Sequence, residues 1–244
     1  MLEIERKRYI FRTKQIWFSD TIYNVTGYTA VVFSGCKTKL EARCFQSQEG
    51  YTSVIDLTQS LDTILKKMDS KSCRYAIRRA ERDGIKIEIN QNYDAFYRIY
   101  QDLGKHKGLL NLEKLETIKK YGILFTASVN DEIIGGHVYF HDNNTILYWI
   151  SATARFGEDK TKNSLIGNAS HLIHWHAIQY AKRSDLAVFD MGGLFAPAGK
   201  DYPGYSIDDF KRSFGGEVVK RYQYQRDYSR VYRVSRYLYN RLKG

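Results

Sequence analysis

The sequence is poor in the residues that define several protein classes. Only three cysteines occur among its 244 residues, Cys36, Cys44 and Cys73, an odd number without the paired close spacing of a disulfide framework or a zinc site. They read as ordinary reduced thiols, which makes a cytoplasmic protein the expectation. Two prolines are present; Pro197 and Pro203 share one glycine-containing loop, so no proline-rich linker divides the chain. No run of about 18 apolar residues exists, and residues 1–12 carry charge without a continuous apolar stretch. A membrane-spanning helix and a secretory leader are therefore not expected, and any membrane contact should be peripheral. Internal repeats and low-complexity tracts are also missing.

Positive charge, by contrast, is abundant: 38 lysines and arginines face 27 acidic residues, a formal net charge of +11. That excess attracts polyanions such as phosphorylated substrates, tRNA or anionic lipid surfaces, and it names a class of partner without naming a reaction. The length suits one domain with an N-terminal extension.

Residues 1–57 alternate short aromatic or β-branched runs, such as 28–33 and 51–57, with polar breaks, which predicts a few strands. Ser60 is placed to cap a helix carrying Leu61, Ile64, Leu65 and Met68 on one face, and Ser70 or Ser72 to cap a second helix that ends at Gly84. A strand over 85–89, a helix capped by Asp94 and running to about His106, and a helix over 112–121 follow. Three strand-like runs, 123–129, 132–141 and 145–152, are joined by Asn130-Asp131 and Asp142-Asn143-Asn144, turn residues that tolerate positive φ; this pattern is an antiparallel meander. A helix over 164–182, an apolar strand over 186–191, a helix over 208–214, a strand over 217–225 and a basic helix over 229–242 complete the chain.

Two stretches carry a resemblance. Cys73-Arg74-Tyr75-Ala76-Ile77-Arg78-Arg79-Ala80-Glu81-Arg82-Asp83-Gly84 resembles the R-x-x-I-R-K-A-E-K-x-G helix of FemAB-like acyltransferases, a branch of the GNAT superfamily. Phe189-Asp190-Met191-Gly192-Gly193, followed by Asp209-Phe210-Lys211-Arg212-Ser213-Phe214-Gly215-Gly216, looks like that branch's D-x-G-G and F-K-x-x-F-G pair. Each motif alone is weak, but their shared order over residues 51–225 is specific. The resemblance implies a GNAT-like fold of the α+β (mixed α/β) class, with a central, mostly antiparallel sheet flanked by helices. It divides the chain into a strand-rich extension (1–50), an acyltransferase domain (51–225) and a basic C-terminal helix (226–244). Peptidoglycan-bridge members usually carry two GNAT domains, whereas this chain has room for about one plus its extension. Residues 154–168 hold basic residues and glycines but not the Arg/Gln-x-x-Gly-x-Gly/Ala spacing of an acetyl-CoA loop.

The activity so implied is N-acyl transfer: an amide forms between an activated donor, acyl-CoA or aminoacyl-tRNA, and an amine on a peptidoglycan, polysaccharide or other envelope precursor. No cofactor needs to be tightly bound. A phosphorylated or lipid-linked acceptor and an anionic donor are the implied partners. Such a reaction needs a deprotonated amine, a held carbonyl and stabilisation of the oxyanion that forms on attack.

By resemblance Lys211 lies near the reacting carbonyl and stabilises its developing charge, with Phe210 shaping the pocket; the competing reading is that Phe210 and Phe214, at i and i+4, simply pack. Asp190 ends an apolar strand before Gly192 and Gly193, where it can orient the acceptor amine, take its proton, or cap the following turn. His137 and Tyr148 are candidate proton relays on the meander and Trp149 a candidate lining residue, although structural aromatics at these positions are the commoner case. Alternation places His137, Tyr139 and His141 on one strand face. His171, His174 and His176 lack a carboxylate or cysteine at ligand spacing, which rejects a metal site.

Lys71, Arg74, Arg78 and Arg82 recur as one basic stripe on a helix, suited to holding phosphates through Arg74 and Arg78 or simply to facing solvent. The C-terminal helix interleaves arginines with tyrosines and is the candidate for peripheral contact with an anionic membrane, for RNA binding, or for packing on the domain. Two alternatives stand beside the amide-forming enzyme: an acetyl-CoA-dependent amino-sugar N-acetyltransferase, and a non-enzymatic RNA-binding module.

Overall fold

The computed structural model describes residues 1–109, 111–154, 160–195, 202 and 204–243. In chain order, strands β1 (Leu2–Arg8), β2 (Phe11–Trp17), β3 (Ala30–Cys36) and β4 (Gln46–Asp56) lead to helices α1 (Leu61–Lys67) and α2 (Cys73–Arg82), strand β5 (Lys86–Ile89), and helices α3 (Tyr93–His106) and α4 (Leu115–Tyr121). The strands β6 (Gly122–Val129), β7 (Glu132–His141) and β8 (Thr145–Thr153) precede helix α5 (Lys160–Arg183), strand β9 (Val188–Leu194), helix α6 (Tyr205–Arg212), strand β10 (Glu217–Asp227) and helix α7 (Arg230–Lys243). Pro197, Pro203 and most of the loop before α5, including Gly157, lie outside the described residues.

Contacts gather into two compact units, Met1–Thr52 with Val219–Gly244, and Ser53–Val218. In the first, β1 and β2 form an antiparallel hairpin, β2 runs parallel to β3, and β3 pairs antiparallel with β10. Ile16, Val31, Phe33, Cys36 and Tyr224 make its core. In the second, the strand order from β9 is β9-β8-β7-β6-β5, antiparallel throughout except for the parallel pair β8–β9.

Local chemistry explains much of this second unit. Asn130 and Asp131 adopt φ of 49° and 62°, so the β6–β7 hairpin has the positive-φ turn its sequence predicts. The Asp142 carboxylate accepts the amides of Asn144 and Thr145 and closes the β7–β8 turn. Ser60 caps α1 by accepting the Thr63 amide at 3.2 Å. The second predicted cap is corrected: Ser72 already has helical φ and ψ and makes no capping bond. Asp69 does that work, taking the Lys71 and Ser72 amides and the Ser72 hydroxyl on one carboxylate oxygen. Asp94 sits inside the first turn of α3, whose N-cap is Asn92 in the left-handed region.

Helix α5 is buried on more than one side. Ile166, Leu172, Ile173, Ala177 and Ile178 are almost fully removed from solvent, because the helix packs on α2 as well as on β6 and β7. Burying each Ile or Leu there contributes about 1.5–3 kcal/mol. Helix α3 packs on β7 and β8 and contributes to a separate core of Phe96, Tyr100, Ile118, Leu124, Val138, Ile150 and Ala152. The strands β6–β8 thus carry helices on both faces.

Candidate active site

The site is built where the β8–β9 ladder stops. Parallel pairing joins Thr145 to Val188, Ile146 to Phe189 and Leu147 to Asp190. No further pair forms among the described residues, although β8 continues to Thr153 and β9 to Leu194. Beyond this point the backbone groups of the two strands are no longer held in a regular ladder. Gly192 bends β9 here at φ 76°, and a Cβ on it would lie 2.9 Å from the Tyr148 carbonyl oxygen. Both the angle and the close approach require glycine. The Asp190 carboxylate accepts the Gly192 amide at 2.8 Å, which is the turn-capping reading of this residue.

Helix α6 delivers Lys211 to the same place. The lysine is only 9% exposed; its ammonium donates to the Gly193 carbonyl at 2.5 Å and lies 5.8 Å from the centre of the Tyr148 ring. An ammonium has three protons, so one bond to Gly193 does not exhaust it as a donor. Burial lowers the pKa of Lys211, and the nearby carboxylates of Asp208 and Asp190 oppose that shift by favouring the cation. Asp208, fully buried, fixes the helix: it accepts the Phe195 amide at 3.0 Å and the Tyr202 hydroxyl at 2.7 Å, tying the end of β9 to the start of α6.

Beside the lysine lies a packed group of aromatic and imidazole rings. The Tyr139 hydroxyl is 2.8 Å from His174 Nδ1 and 3.5 Å from His137 Nδ1, while the His174 ring meets Tyr148 edge-on at 4.5 Å. Phe210 and Phe214 pack on His171 and on each other. Desolvation pushes His137 down to about 3 and His174 well below the usual imidazole range, so both rings are neutral at pH 7. Burial also pushes the Tyr148 phenol up to about 12, which keeps it protonated. The Nε2 of His174 is buried without a hydrogen-bond partner among the described residues.

A sequence profile described as an acetyltransferase (GNAT) domain matches residues 69–212, more than half of the chain and the whole of this site up to α6. The protein belongs to the GNAT family. No curated protein matches this GNAT chain in sequence. Among solved structures it is similar to FemX, with a TM-score of 0.65 and 11% identity over 91% of this chain and 83% of that one. It is also similar to L-PGS from Bacillus licheniformis, with a TM-score of 0.56 and 14% identity over 88% and 73% of the two chains. The C-terminal domain of a putative lysylphosphatidylglycerol synthetase from Agrobacterium fabrum gives a TM-score of 0.56 and 12% identity over 82% and 68%. At such identities the likeness is one of fold, and it agrees with the FemAB-like, mixed α/β GNAT architecture that the motifs imply.

Of the residues singled out in the sequence, this GNAT structure brings Lys211, Phe210, Gly192, Gly193, Tyr148 and His137 together. Trp149 is not among them. It is the extra residue of a bulge in β8, since Val138 pairs with Ile150 while Tyr139 pairs with Tyr148. Alternation turns Trp149 away from Tyr148, to the far side of the sheet, where it stacks on Phe140 and packs on the core beneath α3; the bulge brings Ile150 to that same side. His141 ends β7 in solvent rather than joining His137 and Tyr139. The basic stripe is divided: Arg74 is partly buried and its Nε has no hydrogen-bond partner among the described residues, whereas Arg78 is exposed and lines a surface cavity with Tyr75, Glu81 and Arg82. The turn before α2 does touch the residue after α6, through the Asp69 amide on the Ser213 carbonyl at 2.8 Å. Sequence reasoning missed Asp208 and the pairing of Tyr139 with His174. The available signals were an acid three residues before Lys211 and a histidine pair at i and i+3 on α5.

Proposed function

We propose that this GNAT acyltransferase joins an activated acyl or aminoacyl group to an amine of a cell-envelope precursor. The single observation that carries the proposal is Lys211: a buried ammonium at the end of the β8–β9 ladder, against Gly193 and Tyr148. Attack of a neutral amine on the donor carbonyl forms the C–N bond and puts negative charge on the carbonyl oxygen. Collapse then breaks the C–S bond of a thioester or the C–O bond of an aminoacyl ester. In a site of low dielectric an oriented ammonium stabilises that oxyanion far more than it would in water. Lys211 is the residue for this role, and Asp208 positions it.

Tyr148 stays protonated at neutral pH, so its role is to give a proton to the departing sulfur or oxygen and to take back the proton that the attacking nitrogen sheds, which regenerates the phenol. His137 is too weakly basic to keep a proton taken from an amine; it serves the ring cluster that holds Tyr148 and Tyr139. Asp190 shapes the Gly192 turn so that backbone and donor come close. Acyl-CoA and aminoacyl-tRNA both fit as anionic donors for a chain of charge +11. Arg74 and Arg78 are the residues proposed to meet a phosphorylated or lipid-linked acceptor. Similarity in fold to a domain named as a putative lysylphosphatidylglycerol synthetase supports the aminoacyl form of this reading.

The description of the matching profile, an acetyltransferase domain, favours acetyl transfer; a second reading is therefore an acetyl-CoA-dependent N-acetyltransferase, with an amino sugar as its proposed acceptor. One screen separates the two. The protein is incubated with acetyl-CoA or with mixed aminoacyl-tRNA and a library of amines, and products are weighed by mass spectrometry. A product heavier by an aminoacyl residue supports the first reading, a gain of one acetyl group on an amino sugar supports the second, and no transfer from any activated donor contradicts both.

A further inference from the structure

Among the apolar side chains that the unit Met1–Thr52 with Val219–Gly244 exposes are those of the β1–β2 turn and of helix α7. The hairpin β1–β2 pairs up to Arg8 with Phe11, leaving Tyr9 and Ile10 as a two-residue turn. Such turns ordinarily use Asn and Gly, because they need positive φ. Here Tyr9 adopts φ 53°, and Tyr9 and Ile10 are each 81% exposed. A bulky aromatic in the left-handed region, followed by a β-branched residue and projecting into water, works against local stability.

Helix α7 repeats the anomaly. Its packed side carries Tyr232, whose ring meets Phe11 at 5.2 Å, and Arg236, which pairs with Asp227 at 2.7 Å. Since residues on a helix advance by about 100° each, Val231, Val234 and Leu238 form a stripe on the opposite side, and they are 63%, 58% and 52% exposed. The helix is amphipathic with its aliphatic stripe turned outward. The Phe11–Tyr232 contact joins the root of the hairpin to α7.

Charge identifies the occupant. Lys7, Arg8 and Arg12 flank the hairpin turn, Arg230 and Arg241 flank the stripe, and residues 230–243 contain no acid. We propose that this surface docks on an anionic lipid bilayer, with Tyr9, Ile10 and the Val231–Val234–Leu238 stripe entering the headgroup–acyl boundary and the arginines meeting lipid phosphates. A second copy would bring the same positive charge against it. Aliphatic Ile10, Val231, Val234 and Leu238 outnumber the exposed rings of Tyr9 and Tyr237, which favours a lipid boundary over an RNA groove lined with stacking aromatics. None of these residues belongs to the acyl-transfer site, and the proposal stands independently of the donor or acceptor used there.

Co-sedimentation of the full chain with vesicles tests it directly. Vesicles of mixed phosphatidylglycerol and phosphatidylcholine should bind the protein at 0.1 M salt on the order of tenfold better than phosphatidylcholine alone, and 0.5 M salt should erase most of that difference. Ile10→Asp and Leu238→Asp should each reduce partitioning by about tenfold, and Ile10→Trp should raise it. Ile10→Asp changes a turn residue with little packing, so its circular dichroism should match the parent. Absence of binding to anionic vesicles, or full binding by the Ile10→Asp, Leu238→Asp double variant, overturns the proposal. So does self-association, or salt-sensitive RNA binding, that the double variant abolishes while vesicle binding persists.

Discussion

The two faces of strands β7 and β8 are made of different chemistry. Toward α5 they present His137, Tyr139 and Tyr148, which meet His174 and Phe189; toward α3 they present Val138, Phe140, Ile150 and Ala152, packed on Phe96 and Tyr100 or stacked on Trp149. One sheet thus has a face that only holds the fold and a face whose polar atoms must each be satisfied or tolerated. The polar face is the one that ends at Lys211. Paying for buried hydroxyls and imidazoles on that side alone makes sense if they position a reactive group.

The contrast can be broken from either side. Phe140→Ala should cost about 3–5 kcal/mol by leaving a cavity under Trp149. Denaturant unfolding checks that value, and the donor KM of the folded fraction should not move. Gly192→Ala places a Cβ against the Tyr148 carbonyl at a positive φ, and the expected penalty is about 2–3 kcal/mol of strain and overlap. Its melting temperature should fall while activity falls further, since the same turn frames Gly193 and Lys211.

Acid should act on the polar face first. Unfolded histidine takes up a proton near pH 6.5, whereas folded His137 does so only at about 3. The native state therefore loses stability as pH falls from 6.5 toward 3, with the full contribution present above 6.5. At pH 5 the loss for this residue is about 2 kcal/mol. Melting curves at pH 7 and pH 5 should show that slope, and His137→Gln should flatten it. Asp56, held down to about 2 by its bonds to Thr58 and Gln59, loses its contribution only between 3.8 and about 2, at the acid end of that window and beyond it. The smallest effect is expected for Tyr139→Phe, which leaves His174 Nδ1 without its hydroxyl partner and should cost about 1–2 kcal/mol of unfolding free energy.

The meander and its turns were legible because Asn130-Asp131 and Asp142 act within a few residues of themselves. The site motifs were legible through order: Asp190, Gly192, Gly193, Phe210 and Lys211 recur in one sequence arrangement, and folding brings them together at the end of a short parallel ladder. The bulge at Trp149 was not legible, since alternation alone puts Tyr148 and Ile150 on one face and only pairing with β7 reveals the extra residue. Asp208 was hidden for a similar reason, because its partners lie across a loop at Phe195 and Tyr202. The pairing of β3 with β10 was also beyond reach, joining segments from opposite ends of the sequence.

Lys211→Met gives the most direct measurement, because it keeps the length of the side chain and removes its charge. With the fold verified by circular dichroism, kcat for transfer to the amine acceptor should fall about 100- to 1,000-fold while the donor KM stays close to the parent value. An undiminished kcat in a folded Lys211→Met protein would show that the buried cation has no part in the chemistry.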